Sequence, residues 1–156
     1  MREQADSPLS SGNGLANVAS GDACYLLDEH YRAARAELAG FDGRLVDTAG
    51  DGLFAVFDGP TRAIRCAAAI LEADRTLGLH ARGGVHTGEV EIIGAGVRGL
   101  NVHIAARLAG LARADEILAS STVRDLTAGA DLRLEDCGMR ELRGIPDPRV
   151  VLRAVV

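Results

Sequence analysis

The run Leu45-Val46-Asp47-Thr48-Ala49-Gly50-Asp51-Gly52-Leu53-Phe54-Ala55-Val56-Phe57-Asp58-Gly59-Pro60 constrains this chain more than any other stretch. Two apolar segments of strand character flank a Gly-Asp-Gly tip. Glycines permit the positive backbone angles of a sharp reversal and leave room for a ligand beside it. A carboxylate held at the tip of a rigid hairpin is a place where a metal-bound phosphate can sit. Taken alone, the pattern reads as an ordinary hairpin turn.

At 156 residues, with 47% hydrophobic side chains, one domain with a proper core is expected. The three cysteines are Cys24, Cys66 and Cys137, an odd number and widely spaced, which predicts reduced packing thiols and a cytoplasmic protein. No run reaches the ~18 apolar residues of a membrane span, and the opening MREQADSPLSSGNG has neither the basic start nor the apolar segment of a signal peptide. A net charge of -5 argues against nucleic acid as a partner. All 17 basic residues are arginine, so chemistry that needs a lysine, such as a Schiff base or a Walker-type phosphate loop, is excluded.

Along the chain, residues 1–20 read as a disordered or degenerate lead-in. Leu26, Leu27, Ala34 and Leu38 lie at helical spacing over 22–39, with Asp22 as N-cap and Gly40 as the stop. Strands follow at 43–48 and 53–57. Pro60 opens a helix over 60–76 that buries Ala63, Ile64, Ala67, Ile70 and Leu71. An extended pair spans 82–93, 94–99 reads as a loop, and a helix over 100–112 buries Ile104, Ala105, Leu108 and Leu111. Ile117–Ala119 is a short strand, Ser121 caps a helix near 122–128, and strands near 132–136 and 149–155 complete the chain. Strands alternating with helices predict an α/β or α+β sandwich.

Five segments in order resemble the class III nucleotidyl cyclases, in particular the bacterial adenylate cyclase branch. They are Thr48-Ala49-Gly50-Asp51-Gly52 with Phe54-Ala55-Val56-Phe57; Ala63-Ile64-Arg65-Cys66-Ala67; Arg82-Gly83-Gly84-Val85-His86-Thr87-Gly88-Glu89-Val90; Val102-His103-Ile104-Ala105-Ala106-Arg107-Leu108; and Glu141-Leu142-Arg143-Gly144-Ile145. The resemblance covers about residues 21–154. It implies an α+β, ferredoxin-like sandwich with an antiparallel-rich sheet, a cyclase homology domain over 21–156, and a first strand that is degenerate or missing. It also implies that ATP is converted to cyclic AMP and diphosphate at a homodimer interface, with Mg2+ or Mn2+ as cofactor. In that scheme Asp51 is a metal ligand, while Arg107 stabilises the transition state from the partner subunit. His103 stands at the transition-state asparagine position, one helical turn from Arg107.

Gly50 and Gly52 border the nucleotide phosphates, Asp47 occupies the position of the base-reading lysine, and Arg143 lies near the phosphate-binding lysine segment, with Ile145 where the lysine itself is expected. The first metal aspartate has no clear counterpart: Asp6-Ser7-Pro8-Leu9-Ser10-Ser11-Gly12 stands roughly in its place, and a misassigned start codon or a damaged gene would account for that. These departures imply low activity and weak binding of a single metal ion. The alternative is a catalytically inactive cyclase-like module that dimerises or binds nucleotide to regulate a partner. A generic ferredoxin-like metabolite-binding domain would explain the fold but not the ordered motifs. His86, in a strand between glycines, is expected to be a packed, hydrogen-bonded residue with no catalytic role.

Overall fold

The computed structural model describes residues 4–6 and 20–156. The segment Ser7-Pro8-Leu9-Ser10-Ser11-Gly12 lies outside the described residues. The elements run β1 (Gln4–Asp6), α1 (Ser20–Gly40), β2 (Arg44–Ala49), β3 (Gly52–Val56), α2 (Pro60–Thr76), β4 (Gly83–Val85), β5 (Thr87–Glu89), β6 (Glu91–Ile93), β7 (Gly96–Arg98), α3 (Leu100–Leu111), β8 (Ile117–Ser120), α4 (Thr122–Leu126), β9 (Arg133–Arg140) and β10 (Arg149–Val155).

The main sheet has the order β4-β8-β10-β9. Its β4–β8 pairing is parallel, the connection running through α3, and its other pairings are antiparallel. Only His86 separates β4 from β5, and β5 pairs antiparallel with β1, Asp6 standing opposite Thr87. β1 in turn approaches β3 of the β2–β3 hairpin. Among the described residues the first strand is Gln4–Asp6, and three residues are too few to show a pattern in sequence.

Alternation along β8 and β10 sorts side chains to two faces, as the pleat requires. Ile117, Ala119, Leu152 and Ala154 join the cluster made with Ala34 and Leu38 of α1 and Ala63, Ile64, Ala67, Ile70 and Leu71 of α2. Leu118 and Val151 join Ile104 and Leu108 of α3, with Ala112 and Leu142, on the other face. A smaller cluster sets Val46, Phe54 and Val56 of the hairpin against Val97 of β7 and Val102 of α3. Helices therefore cover both faces of the sheet, which explains why these strands read as apolar runs.

Several local expectations need correction. The segment 94–99 is not simply a loop: Gly96–Arg98 pairs with Glu91–Ile93 as a hairpin arm. Leu111 is 46% exposed, and Ala109 and Ala112 take the buried positions instead, because the chain leaves the helix at Ala112. Asp22 sits within the first turn of α1 rather than capping it, and Ser121 makes no side-chain cap to α4. Of the cysteines only Cys66 is buried; Cys24 is exposed and Cys137 half-buried, all three as free thiols. Among the described residues no helix is long and apolar enough to cross a membrane.

Candidate active site

Asp51 lies half-buried at the tip of the β2–β3 hairpin, between Gly50, whose φ of 63° is the left-handed conformation a glycine supplies, and Gly52. The hairpin pairs Ala49 with Gly52 and Thr48 with Leu53, and its register shifts between Leu45 and Asp47. Such an irregularity re-aims the side chains beside it. Asp47 is exposed, and its carboxylate accepts a hydrogen bond from the Thr48 N–H at 2.8 Å.

The turn is held from α1. The Tyr31 hydroxyl donates to the Gly50 carbonyl at 2.7 Å and lies 3.2 Å from the Gly52 carbonyl, so one phenol bridges the start and the end of the turn. Burial pushes the Tyr31 phenol above its ordinary range, and the negative charge of Asp51 adds to the rise. Arg35 stands over the ring at 5.8 Å from its centroid. One residue earlier, His30 Nδ1 meets Asp74 Oδ1 at 2.7 Å inside the core and ties α1 to α2. The tyrosine escaped sequence reasoning because its partners are 19 and 21 residues away. Its signal was there to read, since it is one of two tyrosines in a chain only 3% aromatic.

His103 and Arg107 are both exposed, four residues apart on the outer face of α3. Arg107 Nε donates to the Arg143 carbonyl at 2.9 Å. That bond joins the helix to the tail loop through Nε alone, and the two terminal nitrogens carry the remaining donors of the guanidinium. Leu142, next to Arg143, is buried against α3, and Ile145 packs on the same cluster. The structure thus gathers His103, Arg107 and Arg143 into one group and Asp47, Gly50, Asp51 and Gly52 into another, on separate elements.

The start of α3 is fixed by a network that runs from the surface at Glu89 to the buried His86. Asn101 Nδ2 donates to the Glu89 carbonyl at 2.6 Å, which turns its Oδ1 toward His86 Nε2 at 2.8 Å. Nε2 therefore carries the proton, and Nδ1 accepts from the Ser120 hydroxyl at 2.6 Å. Burial lowers the His86 pKa, consistent with a neutral ring in this setting.

The donor chemistry at the hairpin tip suits a hard divalent cation, which prefers carboxylate and carbonyl oxygens. Among the described residues, however, no group of three or more His, Cys, Asp or Glu side chains converges on one point. One carboxylate with backbone oxygens fits a single, weakly held ion.

No family model matches the chain. It is 37% identical over 109 residues to uncharacterised proteins of Mycobacterium tuberculosis and Mycobacterium bovis, a match covering 67% of this chain. The match spans only 37% of the length of those relatives. Among solved structures, the adenylyl cyclase CyaB from P. aeruginosa superposes with a TM-score of 0.90 at 19% identity, covering 100% of this chain and 95% of that one. The adenylate/guanylate cyclase/hydrolase from Silicibacter pomeroyi superposes at 0.85 with 24% identity, covering 100% and 98%. The guanylate cyclase domain of RhGC from Catenaria anguillulae, in complex with GTP, superposes at 0.85 with 17% identity and the same coverage. The chain has the fold of a class III adenylate/guanylate cyclase catalytic domain.

Proposed function

We propose that this chain, over 21–156, is a cytoplasmic class III nucleotidyl cyclase homology domain of the bacterial adenylate cyclase branch, forming cyclic AMP and diphosphate from ATP at a homodimer interface, with low activity. The observation that carries the reading is the division of the candidate residues on this fold: Asp51 at the hairpin tip, His103 and Arg107 on the outer face of α3 beside Arg143. Two such half-sites from two copies make one whole site.

In the reaction the ribose 3′-oxygen bonds to the α-phosphorus, the bond from that phosphorus to the bridging oxygen breaks, diphosphate leaves, and the hydroxyl proton is released. The protein's share is positioning and charge stabilisation. Asp51 would hold Mg2+ or Mn2+, which when bound supplies Lewis-acid stabilisation at the phosphate oxygens. Arg107 offers forked, permanently charged donors to the transition state, and His103 one further donor from the same face. Gly50 and Gly52 let the phosphates approach the backbone, Arg143 adds positive charge, and Asp47 accepts from an exocyclic amine of the base. The nucleotide-complexed and dimeric cyclase domains among the structural neighbours support nucleotide and homodimer as partners.

An inactive nucleotide-binding dimerisation module is the second reading, favoured by Asp47 and Ile145 standing where the resemblance calls for lysines. The test is cyclic AMP formation from ATP with Mn2+. Slow turnover is expected, lost in Asp51→Ala and in Arg107→Ala, and partly recovered when the two variants are mixed, since a mixed dimer keeps one site with both residues. Turnover indifferent to both substitutions overturns the mechanism, and its complete absence in the wild type favours the second reading.

A further inference from the structure

The Gly-Asp-Gly tip presents a physical difficulty. Two glycines give the turn its shape, but they also flank Asp51 with the most permissive backbone available, so ordering the turn costs more conformational entropy than it would with other residues. The structure supplies the restraint from α1. One Tyr31 hydroxyl reaches the Gly50 carbonyl, in the peptide that enters Asp51, at 2.7 Å and the Gly52 carbonyl, one peptide beyond the residue, at 3.2 Å. The first contact restrains a peptide plane that sets the Asp51 backbone, and the second fixes where the chain leaves the turn.

The clamp is itself anchored. Tyr31 follows His30, whose contact with Asp74 is buried and binds α1 to α2, and the ring lies beneath Arg35. The phenol is therefore delivered from a helix packed on the core rather than from a loop. Phenylalanine at this position would keep the ring and its packing but lose both contacts to the turn.

We propose that Tyr31 is a positioning residue for the Asp51 turn, acting through the Gly50 and Gly52 carbonyls to set the affinity of the hairpin tip for a divalent cation. The proposal rests on the reading of Asp51 as a metal ligand. In this role Tyr31 acts through the backbone of the turn, so its loss acts on ion binding more than on the chemical step.

The experiment compares wild type, Tyr31→Phe and Asp51→Ala as full chains. Mn2+ binding is titrated by its electron paramagnetic resonance signal in the presence of a non-cyclising ATP analogue, and amide hydrogen exchange is followed across residues 48–53. Tyr31→Phe should weaken Mn2+ binding roughly five- to tenfold, the worth of a hydrogen bond or two. It should speed exchange at the turn while leaving exchange in α2 and β10 as in the wild type. In turnover, the rise in KM for Mn2+ should exceed the fall in kcat. Unchanged Mn2+ affinity in Tyr31→Phe, with binding still lost in Asp51→Ala, overturns the clamp and leaves the metal reading intact. Mn2+ binding that survives Asp51→Ala overturns the metal reading itself, and with it the proposed purpose of the clamp. A general loss of protection in Tyr31→Phe assigns the tyrosine to folding and also overturns the proposal.

Discussion

Replacing Gly84 by alanine tests the joint that places Arg107. A Cβ at Gly84 would stand 2.3 Å from the Ala105 carbonyl oxygen, 2.3 Å from the Ala109 nitrogen and 3.0 Å from the Ala109 Cα. All three are backbone atoms of α3, so no side chain can swing aside. Either α3 retreats by about 1 Å or β4 does, and a retreat of that size loosens contacts all along the inner face of the helix. That face carries Ile104, Ala105, Leu108 and Ala109, each at most 1% exposed. Overpacking costs about 1–3 kcal/mol, and rigid backbone on the other side puts Gly84→Ala at the upper end. For a domain of this size the melting temperature should fall by roughly 5–10 °C.

Gly110→Ala is the matched control. Its Cβ meets nothing within 4 Å, and alanine improves an exposed helical position by roughly 0.5–1 kcal/mol. Thermal unfolding followed by circular dichroism reads both variants. Gly84→Ala melting within about 1 °C of the wild type, or Gly110→Ala falling as far as Gly84→Ala, would refute the close-approach reasoning.

Two further expectations concern buried groups. The folded-state pKa of His86 lies below its ordinary 6.5, so the unfolded chain binds more protons as pH falls through that value, and the stability His86 provides is present above it and lost below. The gap in urea midpoint between wild type and His86→Gln should therefore narrow from pH 7.5 to pH 5; a gap independent of pH would refute this. The Cys66 thiol is pushed up to about 12, by burial first and then by the charge of Glu37. A maleimide at neutral pH should label exposed Cys24 in the native protein and reach Cys66 only on unfolding, and equal labelling rates at the two sites would count against the packing described.

The long elements were legible because each repeats its pattern often enough to be read. α2, at 17 residues, shows its buried stripe at Ala63, Ile64, Ala67, Ile70 and Leu71, as periodicity predicts. Three-residue strands offer no such repetition, which is why the sequence shows no strand pattern at β1 or β7, and why 82–93 reads as an extended pair yet divides into three strands. The placement of Asp51 at a turn was legible from its glycines. Its restraint by Tyr31 was not, since a tyrosine in an amphipathic helix looks the same in sequence whether it meets solvent or a distant turn. The same holds for Asn101, whose contacts with Glu89 and His86 exist only once α3 is folded back on β5.

A physical division runs between the residues that hold the site elements in place and those that depart from the cyclase pattern. Gly84, His86, His30 and Asp74 lie inside, where an exchange meets backbone atoms or strands a buried polar group. Asp47 and His103 are exposed, where an exchange meets mostly water and typically costs within about 0.5 kcal/mol of nothing. Ile145 goes further, because its side chain packs against the cluster under α3. A lysine there would have to carry its charge past that apolar surface to reach a phosphate, whereas isoleucine adds to the packing. On the proposed reading, folding stability therefore does little to favour the cyclase-type residue at exposed Asp47 and His103, and at Ile145 it opposes a lysine. The buried residues that hold the hairpin tip and α3 in place are thus physically independent of Asp47, His103 and Ile145, where the chain departs from the cyclase pattern.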